Sequence, residues 1–288
     1  LLKHLCNFEV VEMYAALAGL VRRRSGIELA LDNLELIDDK LAPVARLFGF
    51  RDLRGLLEEM SHPPEELAQA VTEAMTTRDT CFFRDAAAFD CFEHVILPAV
   101  LKARAKSRRL RIWCSGVATG QEAYSVAMTL DRFRLIGARW KIELLATDLS
   151  FDAIARARRG TYTNFEVERG LTSNLLAMYF TSEESGWRVA DRLRRMVSFR
   201  PFNLLDDFGW LGELDVIFCR NVLLYLEPKA RATALRKLVH ALVRDGYLLL
   251  GPQDASVDFS LPLIQLPEGR GIFAKSGAPP RPAIRALG

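Results

Sequence analysis

Cysteine is scarce, with five in 288 residues. Cys6, Cys81, Cys91, Cys114 and Cys219 share no paired spacing and sit in apolar stretches, which speaks against disulfides and a zinc site and for reduced thiols in a cytoplasm. The four histidines are scattered, and none falls at a metal-ligand spacing. No apolar run reaches the roughly 18 residues of a membrane span. No basic stretch followed by an apolar one marks the N-terminus for secretion. The chain begins at Leu1 rather than Met, which leaves room for residues before it.

What is present is the profile of a globular protein: 50% hydrophobic and 26% charged residues. The net charge of +3 is unevenly spread. Residues 1–75 carry 8 Lys/Arg against 13 Asp/Glu, a net −5, and the remainder carries 31 against 23, a net +8. A basic body suits an acidic partner, which charge alone leaves open between a nucleic acid and a glutamate-rich protein surface. The run Lys102, Arg104, Lys106, Arg108, Arg109, Arg111 reads as a solvated face.

Residues 1–75 show only helical spacing. Val10, Met13, Leu17 and Leu20 form one stripe, closed by Gly26. Leu34, Ile37, Leu41, Val44 and Phe48 form a second, interrupted by Pro43. Leu53, Leu56, Leu57 and Met60 form a third, and Leu67, Val71 and Ala74 a fourth after Pro63-Pro64. From about residue 108 strands alternate with helices. LRIWCSG (110–116), IELLATD (142–148), LDVIFCR (214–220) and YLLLG (247–251) are apolar runs of strand length, with helical patterns after the first and third. This alternation predicts an α/β fold, a parallel sheet with helices on both faces. Residues 160–202 break it and read as a small antiparallel excursion ending in WRVA and MVSFRPF. The tail SGAPPRPAIRALG is Pro/Gly-rich and reads as flexible.

Open parallel sheets bind ligands at the carboxyl ends of their strands. The first strand runs into GVATGQE, where Gly116 and Gly120 would let a ligand approach the backbone. The second ends in Asp148, placed for a ribose diol, and the third ends in Arg220-Asn221. G-x-x-x-G lacks the third glycine of a pyrophosphate turn, and there is no triphosphate-binding loop. A nucleoside without phosphates fits better. Each has a bland reading too: Glu122 as half of a capping box with Thr119, Asp148 as a loop aspartate, and Tyr225 as a packed aromatic with a wet hydroxyl.

TTRDTCFFRD (76–85), CSGVATGQEAYSVAMTL (114–130), ATDLS (146–150), FEVERGL (165–171), FRPFNLLDDF (199–208) and FCRNVLLYL (218–226) together resemble the CheR chemotaxis receptor methyltransferases. The resemblance runs from about residue 13 to 275, with the motifs in order. It implies a helical N-terminal domain (1–75) and a doubly wound, Rossmann-like S-adenosylmethionine methyltransferase domain (76–275) with a β-subdomain at about 160–202. The flexible tail is then 276–288. It further implies S-adenosylmethionine as methyl donor, S-adenosylhomocysteine as product, no metal, and glutamates in the cytoplasmic region of a chemoreceptor as acceptor. Carried over by position, Thr80, Arg84, Glu122, Asp148, Asn203, Leu204, Arg220 and Asn221 line the donor site, beside Gly116, and Arg84 and Tyr225 lie closest to the transferring methyl.

Several positions depart from the family pattern. Arg78 stands where Asn is usual, Gln121 replaces the first glutamate of T-G-E-E, and GPQD (251–254) replaces G-x-x-E. Asn33 and Lys40 replace Lys and Arg on helices expected to meet the receptor. These departures motivate an alternative, a non-catalytic sensor or scaffold that binds the donor or its product in a chemosensory pathway. A nucleic-acid methyltransferase is disfavoured, since the [DN]-P-P-[YF] motif and an aromatic-rich basic groove are both missing. Nothing calls for membrane insertion or for more than a monomer.

Overall fold

The computed structural model describes residues 2–133, 135, 139–184, 186–254 and 261–276. Residues 277–288 of the expected flexible tail lie outside this range. The N-terminal part is helical throughout: α1 (Leu2–Ser25), α2 (Leu34–Leu47), α3 (Leu53–Glu58) and α4 (Glu65–Ala74). Gly26 ends α1 in the left-handed conformation (φ +72°), as its position predicted. Leu17, Leu41, Leu56, Met60 and Val71 meet in one core, so each predicted stripe contributes. Pro43 does not interrupt its stripe. The helix runs through it because Leu41 and Val44 on either side are buried, which offsets the lost backbone hydrogen bond.

Two helical pieces, α5 (Ala86–Cys91) and α6 (Leu97–Ala103), lead into the sheet. There follow β1 (Arg109–Ser115), α7 (Gln121–Arg132), β2 (Lys141–Asp148) and α8 (Phe151–Arg159). An insertion then holds β3 (Thr161–Tyr162), α9 (Asn164–Glu168), α10 (Ser173–Tyr179), β4 (Phe180–Glu183), β5 (Gly186–Val189) and α11 (Asp191–Arg194). The chain returns through β6 (Val197–Pro201), β7 (Leu214–Cys219), α12 (Pro228–Ala241), β8 (Leu242–Leu250), β9 (Leu263–Gln265) and β10 (Ile272–Lys275).

The main sheet has seven strands in the order β6-β2-β1-β7-β8-β10-β9. Its first five are parallel; β10 runs antiparallel to β8, and β9 antiparallel to β10. Every residue of β7 is buried, as expected of a strand covered on both faces. The insertion forms a separate antiparallel sheet, β3-β5-β4. One predicted piece belongs elsewhere: MVSFRPF supplies β6, which pairs parallel with β2 at the edge of the main sheet. Between β1 and β7 the chain reverses its direction of travel across the sheet, which is the switch point where such folds open a crevice. Among the described residues no helix is long and apolar enough to cross a membrane.

Candidate active site

Two adjoining cavities open at this switch point and share Thr77, Gly116, Asn221 and Tyr225 in their walls. Ten of the eleven residues singled out for the site in the sequence border them, Gly120 being the exception. Asp148, Asn203 and Leu204 line the larger cavity, and Thr80, Arg84, Glu122 and Arg220 line the smaller.

The loop after β1 is shaped by its neighbours. A Cβ on Gly116 would lie 2.3 Å from Cγ2 of Val222, so glycine here lets the β1 and β7 loops close on each other. Gly120 borders neither cavity; a Cβ there would meet the Cβ of Ala157 at 2.8 Å. Its role is helix packing rather than ligand approach. Asp148 organises the floor: Oδ2 accepts from the Ala118 amide at 2.8 Å and Oδ1 from the Ser150 amide at 2.9 Å. Each carboxylate oxygen keeps a further lone pair for a ligand hydroxyl.

No capping box forms at α7. Thr119 Oγ1 donates to Gln121 Oε1 at 2.8 Å, and the Glu122 carboxylate turns to Arg220 instead. Arg220, only 1% exposed in its side chain, is the hub of the smaller cavity. Nη2 lies 3.0 Å from Asp85, while Nη1 donates to the Arg84 carbonyl at 2.7 Å and lies 3.4 Å from Glu122. Its Nε is buried without a partner. Phe83 and Asp85 on either side of Arg84 both have positive φ (48° and 64°), and so do Ala118 (48°) and Asn221 (57°). Such conformations are costly for residues with side chains and persist where surrounding contacts over-determine them. Here Arg220 holds the turn that presents Arg84, and Asp254 holds Asn221. Asp254 accepts from the amides of Asn221 (2.5 Å), Leu224 (2.7 Å) and Gly251 (3.2 Å), so the aspartate of GPQD keeps the β7 loop in shape.

Tyr225 sits on a short helical turn, 37% exposed, facing both cavities. The segment after α1 reaches it: the Glu28 amide donates to the Tyr225 carbonyl at 2.9 Å, and Ile27 bridges Leu226. Asn203 Nδ2 donates to the Arg24 carbonyl at 2.6 Å. Ser25, Ile27 and Met75 therefore wall the larger cavity, as do Phe202, Leu149 and Val222. Sequence reasoning missed these wall residues. Met75 directly precedes the recognised motif, whereas nothing local announced Ser25 or Ile27. Arg78 lines neither cavity; it donates to Ser150 Oγ at 3.1 Å, beside Glu73.

Among the described residues lining the two cavities there is no histidine and no lysine. Burial pushes the Cys114 and Cys219 thiols well up, which keeps them protonated. The basic run 102–111 is partly tied up rather than free: Arg104 pairs with Asp215 and Asp245, and Arg109 and Arg111 with Glu143.

Burial pushes the Glu122 carboxyl from 4.5 up to about 6, against the pull of Arg220. The folded protein thus holds this proton more tightly than the unfolded chain. The resulting stability is complete below pH 4.5 and is lost as pH rises through about 6. Across that window the wild type is expected to lose roughly 2 kcal/mol that Glu122→Gln does not lose. Urea unfolding at acid and neutral pH measures the difference; parallel profiles for the two proteins would contradict it.

The CheR methyltransferase, SAM binding domain profile matches residues 78–263. Chemotaxis protein methyltransferase 1 of Pseudomonas aeruginosa is 34% identical over 239 residues, covering 82% of this chain and 87% of that protein. The chemotaxis protein methyltransferase of Vibrio parahaemolyticus is 33% identical over 246 residues, covering 84% and 88%. That of Escherichia coli is 34% identical over 248 residues, covering 83% and 82%.

Proposed function

This chain belongs to the CheR family of S-adenosylmethionine-dependent methyltransferases, and we propose that it esterifies glutamate side chains in the cytoplasmic region of a chemoreceptor. In this reading residues 1–75 and 76–275 are two domains of a cytoplasmic monomer. The observation that carries it is the joined cavity, which offers different chemistry at each end. The larger part combines Asp148, suited to a ribose diol, with Phe202, Leu204, Leu149 and Val222, suited to a flat base. The smaller part sets Arg84 and Arg220 against the Glu122 carboxylate, a match for a zwitterionic amino-acid head. The unpaired Nε of Arg220 is a donor that an acidic ligand group would satisfy.

S-adenosylmethionine supplies a methyl group on a positively charged sulfur. The chain's own task is then alignment. A glutamate acceptor is already ionised at neutral pH, so no lining residue needs to act as a base. This agrees with walls that hold no histidine or lysine among the described residues, and whose buried carboxylates, Glu122 and Asp148, already have partners. Arg84 grips the acceptor carboxylate through its two-pronged guanidinium. Tyr225 orients one of its oxygens by a hydrogen bond. The apolar walls keep water out, which favours bringing a carboxylate to a cationic sulfur. Productive orientation matters more than tight grip, since holding the ground state too firmly gains no rate.

Calorimetry tests the donor half. S-adenosylmethionine and S-adenosylhomocysteine are both expected to bind the wild type, and Asp148→Ala to weaken both by about tenfold or more, which corresponds to ~1.4 kcal/mol. Thermal unfolding of the variant checks that the loop it organises persists. Equal affinities in a folded variant would remove Asp148 from the donor site. The acceptor half is tested by whether label from the donor's methyl group reaches receptor glutamates as an ester.

A further inference from the structure

The motif FEVERGL (165–171) contributes nothing to the walls of either cavity, yet it is docked against the loop that carries Arg84. Helix α9 is fixed at its start by a reciprocal capping box between Thr163 and Glu166. It ends at Arg169, and Gly170 follows with φ +102°. A Cβ on Gly170 would lie 1.9 Å from the Phe82 carbonyl oxygen, so only glycine lets this end of the insertion rest on the 79–84 loop. Arg169 is thereby delivered to the rim of the smaller cavity. Its Nη2 donates to Asp79 Oδ1 at 3.2 Å, and its guanidinium lies 5.6 Å from the centre of the Phe165 ring, which limits its directions.

Asp79 is shared. Its other oxygen, Oδ2, lies 3.6 Å from Nη1 of Arg84, which also donates to the Asp79 carbonyl at 2.8 Å. One carboxylate thus sits between two arginines, one oxygen to each, at the mouth of the candidate site. All three side chains are open to solvent: Arg84 is 37%, Arg169 43% and Asp79 55% exposed. Exposed ion pairs of this kind contribute little to stability, so exchanging Asp79 for another carboxylate costs little.

We propose that Arg169 is an acceptor-recognition residue. It and Arg84 take the acceptor glutamate between them, and Asp79 stands in for that carboxylate until one arrives. This inference rests on the proposed esterification of carboxylates and gives the insertion a role at the active site. It also predicts opposite effects for the two neighbours of Arg84. Removing Arg169 takes away half of the acceptor's grip, whereas neutralising Asp79 removes an internal competitor.

The test is steady-state methylation of a recombinant chemoreceptor cytoplasmic fragment, with the acceptor varied at saturating S-adenosylmethionine. Arg169→Ala is expected to raise the acceptor KM by about tenfold with kcat within about twofold, and Arg169→Lys to recover part of the loss. Asp79→Asn is expected to lower the acceptor KM by about threefold. Donor affinity by calorimetry stays at the wild-type value in both Arg169 variants. An unchanged acceptor KM in Arg169→Ala overturns the proposal, as does a donor affinity that falls in step with it, because a merely structural tie would produce the latter. A wild-type protein that forms no ester on the fragment fails the underlying reading instead, so the two failures are distinguishable.

Discussion

Arg220→Ala is expected to destabilise the protein by about 3–5 kcal/mol, the cost of stranding buried charge, and to abolish donor binding. The side chain is 1% exposed and serves Glu122, Asp85 and the Arg84 carbonyl together. Without it, the buried Glu122 loses its ion-pair partner and is left with the pull of Arg84, and the left-handed turn from Phe83 to Asp85 loses its clamp. Denaturant unfolding and calorimetry read the two effects. If the single variant does not fold, Arg220→Met combined with Glu122→Gln separates them. Removing both partners is expected to restore much of the stability while donor binding stays lost. Donor binding regained in the double variant would show that Arg220 acts only as a structural tie.

The second large effect is catalytic. Arg84→Ala is expected to lower kcat at saturating donor by ~100-fold or more, because a misaligned acceptor loses the benefit of proximity. The protein should remain folded, since the Arg84 side chain is 37% exposed and its hydrogen bond and ion pair both run to the exposed Asp79. Arg84→Lys keeps the charge without the two-pronged geometry and should fall between. A wild-type rate in Arg84→Ala would end its assignment as the acceptor grip.

Much of this site was legible because its residues sit at strand ends. The runs that became β1, β2 and β7 are apolar enough to be read directly, and Gly116, Asp148, Arg220 and Asn221 follow them by simple adjacency. The N-terminal stripes were equally plain. What failed to show was set by partners distant in sequence. Glu122 has the spacing of a capping residue, but its real partner is Arg220, 98 positions on. The strand β6 alternates buried and exposed residues because it lies at the sheet edge, and that pattern imitates an antiparallel hairpin. Ser25 and Ile27 join the cavity only because α1 ends against the turn bearing Tyr225, a contact no local pattern encodes. Arg78 and Asp254, departures that motivated the non-catalytic alternative, hold Ser150 and the β7 loop. Neither side chain reaches into the joined cavity.

The claim at the centre of this account is that a carboxylate accepts the methyl group. It is tested most directly by incubating the protein with methyl-labelled S-adenosylmethionine and a chemoreceptor cytoplasmic fragment, then treating the product with mild alkali. The account predicts label on the fragment that alkali releases as methanol, and none when the acceptor glutamates are replaced by glutamine. Label that survives alkali, or a donor-bound protein that labels nothing on the fragment, would contradict it.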